Sequence, residues 1–258
     1  MQKNIPEFLY HYTNLEALAL ILKNKTMRFS PLSKLDDLDE AKFKSYDIFA
    51  EYTYISSWTL DEQESIPFWS MYTRNMSGVR IKLHINPFNK YPVEGYARYL
   101  IHGNEKVDFC IPSSEIIQEN YVILPMCFSD EVKYTKKEDN LYPDIAKIQD
   151  NFLDINLPLI GAFKREEWYF QKEWRYKLFC IPIKKEDITK IGELGKVVAE
   201  RRKPSINYID VGISETYLKK IEIMTGPKMS KGEKEMLQLL VDKYCPSAKI
   251  VESQLKIR

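Results

Sequence analysis

The sequence predicts an α+β protein with mixed, largely antiparallel sheets, on three observations. Short aromatic and β-branched runs recur along the chain between polar and proline-containing stretches, as strands require. Helix-capping signals stand between several of them, followed by apolar residues at helical spacing. No internal repeat, low-complexity run or linker divides the chain. Residues 1–258 therefore read as one domain, closing with a C-terminal βαβαβ region over residues 186–258.

Residues 9–13 form the first expected strand. It runs straight into a helix, because Thr13-Asn14-Leu15-Glu16 has the form of a capping box. Leu15, Leu18, Ala19 and Leu22 give that helix one apolar face; Asn24-Lys25 ends it, and residues 26–30 are a second strand. Residues 31–40 read as a polar loop whose Asp36, Asp37, Asp39 and Glu40 are solvated; the glycine and terminal glutamate of an EF-hand are missing. Residues 52–59 are a strand by composition. Pro67 starts a helix through Phe68, Trp69, Met71 and Tyr72, closed by Gly78 ahead of a strand at 79–83. Residues 121–128 are a further strand, 130–167 mainly helix, and 174–182 a strand. The C-terminal rhythm is a strand at 208–213, a short helix at 214–220 and a strand ending at Thr225. A helix then opens on the capping box Ser230-Lys231-Gly232-Glu233 and carries Met236, Leu237, Leu240, Val241 and Tyr244 on one face. Pro246 stops it before a last strand at 249–257.

Composition narrows the function. At 44% hydrophobic and 29% charged residues, the chain has material for a sizeable core under a wetted surface. Its 38 basic and 37 acidic residues leave a net charge of +1, so no whole-surface field draws nucleic acid or anionic lipid. The N-terminal residues lack the apolar core and cleavage site of a secretory signal, and no run approaches the roughly 18 apolar residues of a membrane helix. Cys110, Cys127, Cys180 and Cys245 are far apart and read as reduced. A cytoplasmic protein with no membrane partner is expected. His11, His84 and His102 are too scattered for a metal site, so metal-free chemistry is expected as well. Seventeen tyrosines and four tryptophans serve cores and also line pockets that stack planar ligands.

Two separated segments hold the candidate chemistry. His11 ends a strand beside a capped helix, where free amides and the positive dipole end suit a phosphate or carboxylate. The bland alternative, a half-buried strand histidine next to a capping Thr13, is the one that local sequence favours. Strand alternation places Gln171, Glu173 and Arg175 on one side of an extended segment. That set is either a structural ion pair, the commoner outcome, or a carboxylate that supports positive charge at an anomeric carbon. Ser56-Ser57-Trp58-Thr59 offers hydroxyls and an indole to a ligand, or is an ordinary strand. Phe68, Trp69 and Tyr72 have a spacing more often found in core contacts than in stacking platforms.

Together these segments resemble a bacterial and phage-associated family catalogued as domain of unknown function 2971. The likeness runs through residues 9–13, Ile21-Leu22-Lys23-Asn24, Met27-Arg28-Phe29-Ser30, Ser56-Ser57-Trp58 and Phe68-Trp69-Ser70-Met71-Tyr72. It continues through Gly78-Val79-Arg80-Ile81, Lys164, Glu167-Trp168, Glu173-Trp174-Arg175 and residues 221–228. Where the family tends to Asn-Asp-Pro-Phe-Glu, this chain has Asp36-Asp37-Leu38-Asp39-Glu40, without the proline and the aromatic.

The His-x-Thr strand running into a helix that ends Ile-Leu-x-Asn is also similar to the opening of ADP-ribosyltransferase-like domains. In that superfamily the first-motif histidine binds the nicotinamide-side ribose of NAD and a second motif holds the nicotinamide. A third-motif glutamate orients the ribose and supports an oxocarbenium-like transition state. The resemblance implies His11 as first motif, Ser56-Ser57 or Tyr72 as second, and Glu173, with Gln171 in a Gln-x-Glu spacing, as third. His11, Gln171 and Glu173 are then the catalytic set, and Tyr12, Thr13, Arg28, Ser56, Ser57, Trp69, Tyr72 and Arg175 the NAD-binding set. It further implies a transferase core over residues 1–185, with insertions in the long gap from Ser57 to Glu173. The implied chemistry uses NAD as substrate without a metal and transfers ADP-ribose to a protein or nucleic-acid acceptor, in a toxin or phage-defence setting. Its rivals are NAD hydrolysis without an acceptor and a non-enzymatic ligand-sensing or interaction module. A nuclease-like effector is disfavoured by the balanced charge.

Overall fold

The computed structural model of the chain describes residues 5–92, 109–149 and 152–257. Strand β1 (Phe8–Thr13) enters helix α1 (Leu15–Asn24), and Lys25, in the left-handed region at φ 55°, turns the chain into β2 (Thr26–Pro31). The cap of α1 is Asn14, one residue later than the sequence suggests. Its side chain accepts from the Ala17 amide at 2.8 Å, while Thr13 is still paired in the sheet opposite Val79. Helix α2 (Phe49–Tyr52) leads into β3 (Thr53–Thr59), followed by α3 (Ile66–Tyr72), capped by Ser65 with Pro67 in its first turn, and β4 (Val79–His84).

After residue 109 come α4 (Ser113–Ile116), β5 (Val122–Glu131), β6 (Lys133–Thr135), α5 (Glu138–Leu141), β7 (Ala146–Gln149), β8 (Phe152–Ile155), β9 (Phe163–Arg165) and β10 (Glu173–Ile181). The long helix expected over 130–167 is therefore absent from the described residues there. One α-helical turn, α5, stands among strands: β6 pairs with β9, and β7 with β8. Pro143 and Pro158 deny a continuous helix its amide donors, and β-branched and aromatic residues around Val132, Tyr134, Thr135 and Ile145 suit extended backbone.

The last part of the chain contributes α6 (Glu193–Ala199), β11 (Ile209–Gly212), α7 (Glu215–Leu218), β12 (Glu222–Thr225), α8 (Lys231–Tyr244) and β13 (Lys249–Glu252). The Ser230–Glu233 capping box opens α8 as expected. These strands do not assemble with one another alone. All three join a nine-stranded, mostly antiparallel sheet in the order β11-β2-β3-β1-β4-β12-β13, with β11 at one end and the parallel pair β12–β13 at the other. Where β4 begins and β12 ends, backbones meet closely. A Cβ on Gly226 would stand 2.3 Å from the Met76 carbonyl oxygen, so only glycine fits.

Strand β3 organises the centre. One of its edges is taken along its length by β10, and β5 lies beyond β10. All nine residues of β10 are buried, and strand alternation sorts them. Trp174, Tyr176 and Leu178 join the main apolar core with Trp58 and with Leu18, Leu22, Leu237 and Val241 of α1 and α8. Glu173, Arg175 and Lys177 project to the other face. Among the described residues no helix is long and apolar enough to cross a membrane.

Candidate functional site

The free edge of β3 is shared by two strands that part from each other. Strand β2 pairs at Tyr54 and Ile55, and β1 at Thr59, so Ser56, Ser57 and Trp58 have no strand partner there. A backbone carbonyl left in such a gap needs a donor, and the His11 ring supplies it: Nδ1 lies 2.9 Å from Ser57 O. A carbonyl can only accept, so Nδ1 carries the proton and Nε2 is the ring's acceptor. The His11 ring also tilts against Trp58, 5.1 Å away. Between the diverging strands lies a cleft of about 230 Å³, walled by α3 and by the segment ahead of β10.

Its floor is a buried charge cluster. Arg175 donates from Nε to Glu173 Oε1 at 2.6 Å and from Nη2 to Glu173 Oε2 at 2.9 Å, a bidentate pair. Nη1 reaches the Gly161 carbonyl at 3.1 Å and also pairs with Glu40 Oε2. Lys164 Nζ lies 2.9 Å from Glu40 Oε1 and 3.3 Å from Glu173 Oε2, and donates to Gln171 Oε1 at 2.7 Å. Two cations thus face two carboxylates, and all four side chains are at most 5% exposed. Burial alone would raise the Glu173 carboxyl, but Arg175 and Lys164 outweigh it and hold the group at about 2. Glu173 is an anion at every ordinary pH, and no proton donor.

A relay leads from this cluster to the mouth. Gln171 Nε2 donates to the Tyr72 hydroxyl at 2.6 Å, and that hydroxyl bonds Asp36. Burial first, then the charge of Asp36 and Glu173, pushes the Tyr72 phenol up, so it stays neutral.

The cleft gathers most of the residues singled out from sequence. His11, Tyr12, Arg28, Ser56, Ser57, Tyr72, Gln171, Glu173 and Arg175 all line it. Ser57 stands opposite Arg175 across the β3–β10 pair, and its hydroxyl bonds Glu173. Ser56 Oγ instead accepts from the Trp58 indole at 3.1 Å. Arg28 is held by Asp210 through two bonds, 2.8 and 2.9 Å, and its guanidinium stacks on Tyr208 at 3.5 Å.

Two of the expected residues do not line this cleft. Thr13 lines a neighbouring cavity of about 130 Å³, shared with His11, Arg28 and Asp210, and not the main cleft. Trp69 is fully buried; it packs edge-on against Tyr12 and donates its indole N–H to Glu64, which makes it a core residue that props Tyr12. The acidic loop is corrected as well, since Asp37 and Glu40 are buried and Glu40 is half of the charge balance. Sequence reading missed Glu40 and gave Lys164 no role at the site. The signal was the acid that closes the Asp36-to-Glu40 run, which folds onto Arg175 and Lys164. His102 falls outside the described residues, among which no three His, Cys, Asp or Glu side chains gather to hold a metal ion.

Burial lowers the pKa of His11 below the ordinary 6.5, against the opposing bond to Ser57 O. Between those two values the unfolded chain binds the extra proton, so stability falls as pH drops below about 6.5. Glu173 adds its own loss only at lower pH, between its ordinary value of 4.5 and about 2. Urea midpoints measured at about pH 7.5 and about pH 5.5 should therefore drop more for the wild type than for His11→Gln. Equal drops would show that His11 protonates as freely folded as unfolded.

No protein-family model, no curated protein and no solved structure matches this chain.

Proposed function

We propose that the chain is an NAD-consuming enzyme of ADP-ribosyltransferase type, with the cleft between β1, β2 and β3 as its NAD site. Convergence supports this reading above all. His11, Glu173 and both candidates for the second motif, Ser56-Ser57 and Tyr72, come from elements far apart in the chain and line one cleft. Its volume suits one end of a dinucleotide, and the smaller cavity shares His11 and Arg28 with it. The His11 Nε2 acceptor suits a ribose hydroxyl, and the rings of Tyr72 and Phe68 suit the flat nicotinamide.

In the reaction the ribose C1–nitrogen bond breaks with its electron pair going to the ring nitrogen, so neutral nicotinamide leaves. Positive charge then sits on the ribose until an acceptor nucleophile adds and loses its proton. Glu173, fixed as an anion, stabilises that charge without moving, which is the form of electrostatic help that costs no reorganisation.

One observation favours a second reading. Both oxygens of Glu173 already meet cations, so the cleft also suits a ligand-sensing module in which nothing reacts. Incubation with NAD labelled on the adenylate side, with and without cell lysate, separates the cases. Label on macromolecules supports transfer, and free ADP-ribose without a labelled acceptor supports hydrolysis. Binding without turnover selects the sensing module.

A further inference from the structure

Three segments close over the cleft: the turn around Asp36, helix α3, and the segment ahead of β10. They meet at Tyr72, bonded to Gln171 and Asp36, and at Phe68, whose ring packs 6.2 Å from that of Phe170. Each leaves a large apolar side chain in water. Leu38 is 74% exposed, Met71 45% and Tyr169 62%, and Ile66 at the start of α3 is 50% exposed. Single exposed apolar residues are ordinary, but these four stand on the segments that frame one cleft and offer apolar anchors around its mouth.

The same segments are acidic. Residues 34–42, 61–72 and 163–172 carry nine Asp or Glu against five Lys or Arg, on a chain whose net charge is +1. Four of the five cations are engaged locally, and the fifth, Lys34, donates to Asn207; Glu166 and Glu62 are in turn paired by Lys136 and Lys82 from outside these segments. Arg165 and Lys42 pair with Asp39, Lys172 with Asp61, and Lys164 sits inside the buried cluster. A phosphate backbone would meet net negative charge here, whereas long basic side chains would find Asp36 and Glu167 beside apolar anchors.

We infer that this acidic, apolar-edged mouth docks a protein segment carrying both basic and large apolar side chains. As the identity of the acceptor this rests on the transferase reading; as a docking surface it needs no NAD turnover. The test is fluorescence anisotropy of the full chain without NAD. The probes are a short labelled peptide of lysine, leucine and glycine in equal parts, its counterpart with glutamate for lysine, and a single-stranded RNA oligonucleotide. The lysine–leucine peptide should bind about tenfold or more tightly than either other probe. Leu38→Ser with Tyr169→Ser and Glu167→Lys should weaken it by about tenfold.

All three substituted side chains are exposed, and a matched set on α8, Met236→Ser with Leu239→Ser and Glu235→Lys, is the control. Equal binding of the three probes, tighter binding of RNA, no binding, or equal losses in the two variant sets overturns the inference. Selective peptide binding with no NAD turnover leaves the surface standing and removes the transferase. NAD turnover without peptide selectivity removes the surface alone.

Discussion

Replacing Arg175 with methionine should destabilise the protein by about 3–5 kcal/mol, measured by urea unfolding, because it leaves two buried carboxylates without their principal cation. Arg175 is 1% exposed and holds both Glu173 and Glu40. Lys164 would remain, one ammonium between two anions. The cause can be separated from lost packing. Adding Glu40→Gln to Arg175→Met removes the excess anion, leaves Lys164 paired with Glu173, and should restore a substantial part of the loss. A double variant no more stable than Arg175→Met would place the cost in packing and not in charge.

The second large effect is on chemistry. Glu173→Gln should lower NAD consumption by about 10²–10³-fold per folded molecule, the usual scale for removing one preorganised electrostatic group from a transition state. The substitution keeps the shape and leaves the cluster one anion short, so activity is to be normalised to the folded fraction from circular dichroism. A loss smaller than about threefold would mean that Glu173 serves only to anchor Arg175.

The structure explains why some of this was legible in the sequence. Strands β1, β2, β3 and β10 announce themselves by composition, and the joint reading of His11 and Glu173 depended on their order along the chain and not on either alone. The segment over 130–167 misled because its charged residues suit a surface helix, while pairing of β6 with β9 and of β7 with β8 is a non-local choice that local propensity does not encode. Glu40 was hidden for a related reason. An acidic run reads as solvated until a distant Arg175 and Lys164 are folded onto it. Trp69 and Tyr72 share one helix, and only the packed structure shows that Trp69 faces the core around Tyr12 while Tyr72 faces the cleft.

The central claim is that this one cleft holds NAD. Equilibrium dialysis of NAD against the wild-type protein and against Tyr72→Ala tests it most directly. Saturable binding of one NAD per chain is expected, weakened about tenfold or more when the Tyr72 ring is removed. No saturable binding to the wild type, or equal affinity in the variant, would contradict the assignment of the cleft.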